Sequence, residues 1–581
     1  MTTGLLRSGP LTAEFHDGEL HDVRVCGIVV ADRVHFTLRD ADWGTATARL
    51  STPRIATTAD GFSIGYEGRA DALPFSFLIR IDADGGTVRF AAEGHAEAPL
   101  RANRIGICVL HPQSLAGTPV EAVSGSRRRA TAFPVEICPH QPFTGLSGLE
   151  HSAGPGRVTW TFEGETFETE DQRNWTDPSY KTYAPPLDLP FPRTLATGDL
   201  VRQSVTLRAI GPCVHGAPGP AAPSEIHLGR PTPGNLPAIG LTLPLRPVPL
   251  DERAGQMLRS LHPSHLRTVL DTAGDWRRVL AAAAHDASAV GAPLDVELVS
   301  RASGRDLFPV IDALGAMPIA RLHAYDAESS VTTPEVAEQA LAAMAAVDQR
   351  APFGGGSRAN YAELNRAVLP LNALDFLTYG ISPQVHAFDD TSVMGTLSTQ
   401  PATLRGARTT ARGRPVLPGP LTLLPRFNPV ATTGIIPSLD ERPPPPDPRQ
   451  PLPFTAAWAI GALAALRGAD NVTLFETTGP GGVFEHPEHP FPIYDLLAVL
   501  ARHRGARLLD TAATDPLITA LGLATAAGPL VLVANLAAAA RRIHPPFDEA
   551  VVRHLTADSP TTSDQFELPG HSAAVIAHGE L

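Results

Sequence analysis

From residue 236 to residue 505, short β-branched apolar runs alternate with stretches of helical periodicity. That alternation constrains the fold more than any other feature of the chain. The runs at 239–243, 265–271, 294–299, 319–325, 352–356, 376–382, 415–423 and 471–476 read as strands. Helical patterns follow near 251–258, 276–290, 307–314, 334–347, 361–369, 393–405, 454–466 and 494–502. Eight strand–helix repeats in roughly 270 residues predict a (β/α)8 TIM barrel. A doubly wound open sheet is the competing fold. It calls for a Gly-rich turn after the first strand, and Leu241-Thr-Leu-Pro-Leu-Arg246 has none.

The flanks read differently. Short β-branched or aromatic runs at 23–30, 34–38, 75–81, 87–91, 104–110, 158–162 and 201–208 predict an N-terminal β-sandwich over residues 1–235. Its last part, 211–235, is rich in Pro, Gly and Ala and reads as a linker. After the barrel (236–505), strands at 530–534, 550–555 and 573–577 predict a small C-terminal β domain, 506–581. The class is multidomain, α/β plus all-β. Pro443–Pro446 reads as a stiff surface loop.

A formal charge of -13 argues against nucleic-acid or anionic-membrane partners. The first residues lack a basic segment followed by an apolar one, and no apolar run reaches membrane-spanning length. Cys26, Cys108, Cys138 and Cys213 show no paired metal spacing, so they are expected to be reduced thiols of a cytoplasmic protein. No metal or cofactor is expected. The oligomeric state stays open.

In a barrel of this type, chemistry sits at the C-terminal ends of the strands. Glu476 ends the eighth strand and opens onto Thr477-Thr-Gly-Pro-Gly-Gly482, which makes it a candidate acid, base or nucleophile. Arg321, His323 and Tyr325 alternate along the fourth strand and share one face, where three polar groups are costly unless they line a site. Glu297 and Asp271 are weaker candidates. Behind the sixth strand lie Tyr379, His386 and Asp389, an imidazole with carboxylates near it. Asn360 and Asn365 follow a Gly-rich loop that backbone-close polyol binding would suit. No Gly-x-Ser-x-Gly elbow occurs, and His486-Pro-Glu-His489 has poor metal geometry.

Lysine is the other unusual feature. Of 47 Lys+Arg residues only Lys181 is lysine, which suggests a position needing a compact ammonium. It lies in Glu170-Asp-Gln-Arg-Asn-Trp-Thr-Asp-Pro-Ser-Tyr-Lys-Thr-Tyr183. This run resembles the hallmark of the D-apionate lactonases. Phe36-Thr-Leu-Arg-Asp-Ala-Asp-Trp-Gly-Thr45, Asn103-Arg-Ile-Gly-Ile-Cys-Val-Leu-His-Pro112 and Ser382-Pro-Gln-Val-His-Ala-Phe-Asp-Asp390 are similar to that family in a shorter, less specific way.

The resemblance covers both the β region and the barrel. It implies a cytoplasmic hydrolase that opens D-apionolactone to D-apionate in apiose catabolism. It also gives Lys181 and Arg173 a task, the negative charge of an acyl-transfer transition state. Glu476, Asp171, His386 or His323 would then handle the proton. Asn174, Trp175 and Tyr180 would suit a sugar-like ligand, with the run reaching over the barrel mouth. A glycoside hydrolase is the rival reading, with Glu476 paired to Glu297 or Asp326. A non-catalytic carbohydrate-binding protein is a third, but it would leave the strand ends apolar.

Overall fold

The computed structural model describes residues 4–211, 223–429, 446–556 and 559–579. The chain divides into two compact units. The first holds Met1–Arg173, Pro178–Pro220 and Val430–Ile435; the second holds Asn174–Asp177, Ala221–Pro429 and Ile436–Leu581.

The first unit consists of two antiparallel sheets, of nine and ten strands. Strand Phe75–Asp84 shows the construction: Phe75, Phe77, Ile79, Ile81 and Ala83 are buried and the residues between them are not. This is the period-two pattern of a sheet with one face on a core. Phe15, Ile107 and Val109 of one sheet and Ile79, Phe90 and Trp160 of the other belong to a single apolar cluster. One expected strand is corrected. Residues 23–30 divide into Glu19–Val25 and Ile28–Asp40, because Cys26 (φ 54°) and Gly27 (φ 81°) make a left-handed turn between them. Cys108 and Cys138 are reduced, but Cys26 is in a disulfide, against the expectation of four thiols. Cys213 lies outside the described residues.

In the second unit the eight strands appear where the periodicity placed them. Ala238–Thr242, Leu266–Asp271, Leu294–Ser300, Ile319–Asp326, Phe353–Gly356 and Leu377–Thr378 run in parallel order, and Asn471–Glu476 pairs back onto the first. The Pro-broken seventh strand closes the ring through parallel bridges Leu377–Val416, Ile381–Leu421 and Leu421–Leu474. Helices such as Trp276–Val290, Pro334–Ala346 and Gln400–Ala411 follow their strands. Asp275 and Thr333 cap the first two through bonds to the Arg278 and Val336 amides.

The third sheet has nine strands and corrects the linker reading. Ser224–Asn235 is one of its strands, antiparallel to Arg507–Ala513 and parallel to Arg541–His544. Register shifts flank Pro231, where an absent N–H leaves a gap in the ladder. Helix Pro453–Ala465 packs against this sheet and carries Trp458, fully buried with its ring 6.1 Å from that of Phe475. Except for Pro446, the polyproline segment lies outside the described residues. No helix among the described residues is long and apolar enough to cross a membrane.

The Trp458 indole N–H has no hydrogen-bond partner among the described residues, so the site uses the ring and not the donor. Trp458→Ala is therefore expected to cost about 3–5 kcal/mol, whereas Trp458→Phe costs far less. Thermal unfolding of the two variants distinguishes these outcomes.

Candidate active site

The barrel interior is ionic. In register across the second, third and fourth strands stand Arg267, Asp295 and Arg321. Asp295 Oδ2 accepts from Arg267 Nε (3.1 Å), Arg267 Nη2 (3.0 Å) and Arg321 Nε (2.9 Å). Its other oxygen accepts from His323 Nε2 at 2.8 Å. Burial alone would raise the Asp295 pKa, but Arg267, Arg321 and His323 outweigh it and hold the group well below the usual carboxylate range. Burial keeps His323 neutral despite Asp295. The proton of His323 therefore sits on Nε2, and Nδ1 accepts from the Tyr325 hydroxyl at 2.9 Å. His265 bonds Thr473 Oγ1 at 2.8 Å, and Gly240 makes room for its ring: a Cβ there would lie 2.0 Å from His265 Cε1.

Toward the C-terminal ends of the strands the network becomes a site. Glu297 accepts from Arg358 Nε at 2.9 Å and from Arg426 Nη2 at 3.1 Å. Burial pushes Glu297 up, but Arg426 and Arg358 pull it down to about 2. Arg358 stacks on Phe427 at 4.3 Å. Arg426 is 9% exposed, and its Nη1 has no hydrogen-bond partner among the described residues. Glu476 ends the eighth strand, and its backbone N–H donates to the Gly481 carbonyl of the following loop. Burial raises the Glu476 pKa to about 7, and the nearby Arg426 charge opposes only part of that. The hydroxyls of Thr242 and Thr477, which flank Glu476 in the ladder, are buried without partners among the described residues. Glu476 thus stands as a carboxyl poised near neutrality beside a guanidinium with an unspent donor.

A second cluster in the same unit joins helix Tyr361–Arg366, after the fifth strand, and the loop after the sixth strand to Asn174–Asp177. Asn365 Nδ2 donates to Asn174 Oδ1 at 2.9 Å, His386 Nδ1 lies 2.7 Å from Asp177 Oδ2, and the Trp175 ring stands edge-on to His386 at 5.2 Å. Arg366 stacks on Trp175 at 4.9 Å. Thr176, a β-branched residue at φ 70°, holds this tip in the left-handed region.

The remaining sequence candidates are committed elsewhere. Asp171 is fully buried and takes Arg173 through Nε (2.8 Å) and Nη2 (2.7 Å), while Arg173 also bonds the Pro134 and Val135 carbonyls and stacks on Tyr180. The Tyr180 hydroxyl donates to Pro134 O. These three hold a loop of the first unit together and leave no unspent proton acceptor at Asp171 for a water. Lys181 pairs with Glu170 at 2.8 Å and lies over Tyr183. Arg321 sits low in the barrel, where its register with Asp295 commits it. The Tyr379 hydroxyl is spent on Thr403, Asn360 forms a capping box with Glu363, and Asp389 caps helix Asp390–Gly395. Asp295, Arg267, His265, Arg358 and Arg426 were missed. For the first three a signal was present, because His265-x-Arg267 and Asp295-x-Glu297 alternate as Arg321-x-His323-x-Tyr325 does. Among the described residues no group of three His, Cys, Asp or Glu is arranged to hold a metal ion.

Removing Asp295 leaves two buried guanidinium groups uncompensated. Asp295→Asn should lower stability by about 3–5 kcal/mol, read as a lower urea midpoint.

A family model described as D-apionate lactonase, N-terminal domain, matches residues 2–212, and one described as D-apionate lactonase, TIM barrel domain, matches residues 239–505. A D-apionate lactonase of Brucella anthropi is 33% identical over 511 residues, 82% of this chain and 83% of that protein. Among solved structures, a GH30 endoxylanase from Clostridium papyrosolvens C71 aligns with 61% of this chain and 99% of its own, at 12% identity and a TM-score of 0.40. A family 39 glycoside hydrolase from Bacteroides cellulosilyticus WH2 aligns with 94% and 97%, at 9% identity and a TM-score of 0.39. Both structural likenesses are too distant to bear on the chemistry.

Proposed function

The chain belongs to the D-apionate lactonase family, and we propose that it hydrolyses a sugar-acid lactone, D-apionolactone to D-apionate, at the C-terminal mouth of its barrel. The observation that carries the site assignment is Glu476, raised to about 7 by burial and within reach of the Arg426 charge, together with an Arg426 Nη1 that has no partner among the described residues.

The reaction uses both groups. Ionised Glu476 takes a proton from water as the water oxygen attacks the lactone carbonyl carbon. Negative charge develops on the carbonyl oxygen and is received by Arg426 Nη1, which Glu297 already holds in place. The tetrahedral intermediate collapses with cleavage of the ring C–O bond. The leaving alkoxide recovers the proton from Glu476, giving the hydroxy acid. Glu170 already neutralises Lys181, so the transition-state cation is assigned to Arg426. The cluster of Trp175, His386, Asn174 and Asn365 is suited to the polyol portion by stacking and hydrogen bonding.

The second reading, a glycoside hydrolase, draws on one observation. Glu476 at about 7 and Glu297 at about 2 form the split that a retaining pair needs. Both guanidinium groups on Glu297 and its 1% exposure oppose it as a nucleophile. Asp326 is spent on capping Ser329. We also propose a cytoplasmic enzyme, to which the Cys26 disulfide runs counter, and the domain reading of an N-terminal β-sandwich, a barrel and a small C-terminal β domain.

The base must be ionised, so kcat/KM on the lactone should rise with pH through about 7 and then level off. Glu476→Gln should abolish that limb and lower turnover by about 10²-fold or more. Arg426→Met should lower kcat by about 10²–10³-fold and, by removing a neighbouring positive charge, move the limb to higher pH. Lactone and aryl glycoside panels, followed by acid release and by chromophore release, check these outcomes. Turnover of glycosides alone would overturn the lactonase reading.

A further inference from the structure

The first unit contains a buried polar surface that the barrel chemistry does not use. Its nine-stranded sheet turns Ile105, Ile107 and Val109 into the core and leaves the alternate residues on the other face. There the register sets Cys108 beside His35 and Tyr183, with Glu168 next to Tyr183 and Glu170 next to Lys181. The charges are largely matched: Lys181 pairs with Glu170, and Glu168 accepts from the Tyr183 hydroxyl and the Leu187 amide.

Arg104 is the exception in its bonding: Glu168 and Glu170 offset part of its charge without forming an ion pair with it among the described residues. Arg104 is 4% exposed, and among the described residues its side chain donates only through Nη1, to Asn103 O at 2.7 Å. Its Nε and Nη2 are buried without partners among the described residues. These two atoms form the edge of a guanidinium that grips a carboxylate with two parallel donors. Elsewhere in this unit Arg173 uses that edge to hold Asp171, at 2.8 and 2.7 Å. The Arg104 guanidinium lies 5.1 Å from the Trp43 ring and 5.7 Å from the Phe191 ring, and those rings meet edge-on at 5.3 Å. Phe191 is 43% exposed, so the outer ring of this group is at the surface, whereas the two Arg104 nitrogens are not. Trp43 holds φ 67°, a conformation a bulky residue rarely adopts, in a turn fixed by Asp40 bonds to the Asp42 and Gly44 amides.

We propose that this face is a second ligand site, in which the unspent fork of Arg104 takes the carboxylate of a polyhydroxy acid beside Trp43 and Phe191. Two desolvated donors with no acceptor among the described residues are costly unless a ligand completes them. Two aromatic rings supply apolar surface for the carbon skeleton. Only the choice of sugar acid as probe rests on the lactonase reading.

The test is calorimetric titration of the full chain with D-apionate, D-gluconate and inorganic phosphate, in an Arg426→Met background that blunts anion binding at the barrel. Sugar-acid binding should persist in that background and weaken by about tenfold or more on adding Arg104→Met. Arg104→Lys, which keeps the charge and is the gentler change for folding, should weaken it similarly because an ammonium lacks the paired donors. Trp43→Phe should retain binding but lose the ligand-dependent change in tryptophan fluorescence. Unchanged affinity in Arg104→Lys, loss of all binding with Arg426→Met alone, or phosphate binding more tightly than the sugar acids would each overturn the proposal. Lactone turnover without Arg104-dependent binding would sink this site and spare the lactonase reading; Arg104-dependent binding without turnover of any lactone would do the reverse.

Discussion

Asp295 receives hydrogen bonds from side chains on the second and fourth strands, and every one of its partners is itself fixed by a further bond. Barrel interiors are ordinarily filled by branched apolar side chains. Here a buried anion replaces that packing, and the low dielectric makes its geometry exacting. Arg267, Arg321 and His323 must stand where the carboxylate is, or the burial of all of them becomes unfavourable. The constraint passes upward along the strands. His323 orients Tyr325, and the neighbouring Glu297 orients Arg358 and Arg426.

The same arrangement explains why two glutamates a few strands apart behave so differently. Glu297 has two guanidinium partners and ionises readily, whereas Glu476 has burial without a hydrogen-bonded cation and holds its proton until near neutrality. One serves as an anchor and the other as a proton carrier. Neither role is written into the residue type; each follows from what its neighbours already spend their donors on.

Much of the barrel was legible because period and length are local properties. The eight strand positions, the polar trio on the fourth strand and Glu476 at the last strand end all follow from alternation and placement. Arg426 was not legible, since it stands in a Pro-interrupted insertion with no periodic neighbours, and its importance lies in an unspent nitrogen. Asp171, Arg173 and Tyr180 bond one another and nearby carbonyls, and polar, aromatic composition is equally what a self-satisfied loop needs. The bonds of Tyr379 and Asp389 to Thr403 and Ser392 depend on directions that composition does not carry. Strand Ser224–Asn235 was hidden by prolines that a sheet tolerates at register shifts.

That strand has a consequence for how the molecule is made. It leaves the ribosome before the first barrel strand, yet its antiparallel neighbour, Arg507–Ala513, follows the last barrel helix. Throughout translation of the barrel, the nascent chain therefore carries a strand whose ladder groups await a partner on the far side of the whole barrel sequence. Unpaired strands of this kind invite association with other chains, and the single charge and two prolines of Arg230-Pro-Thr-Pro-Gly234 are what a sequence would place there to keep such an edge quiet while it waits.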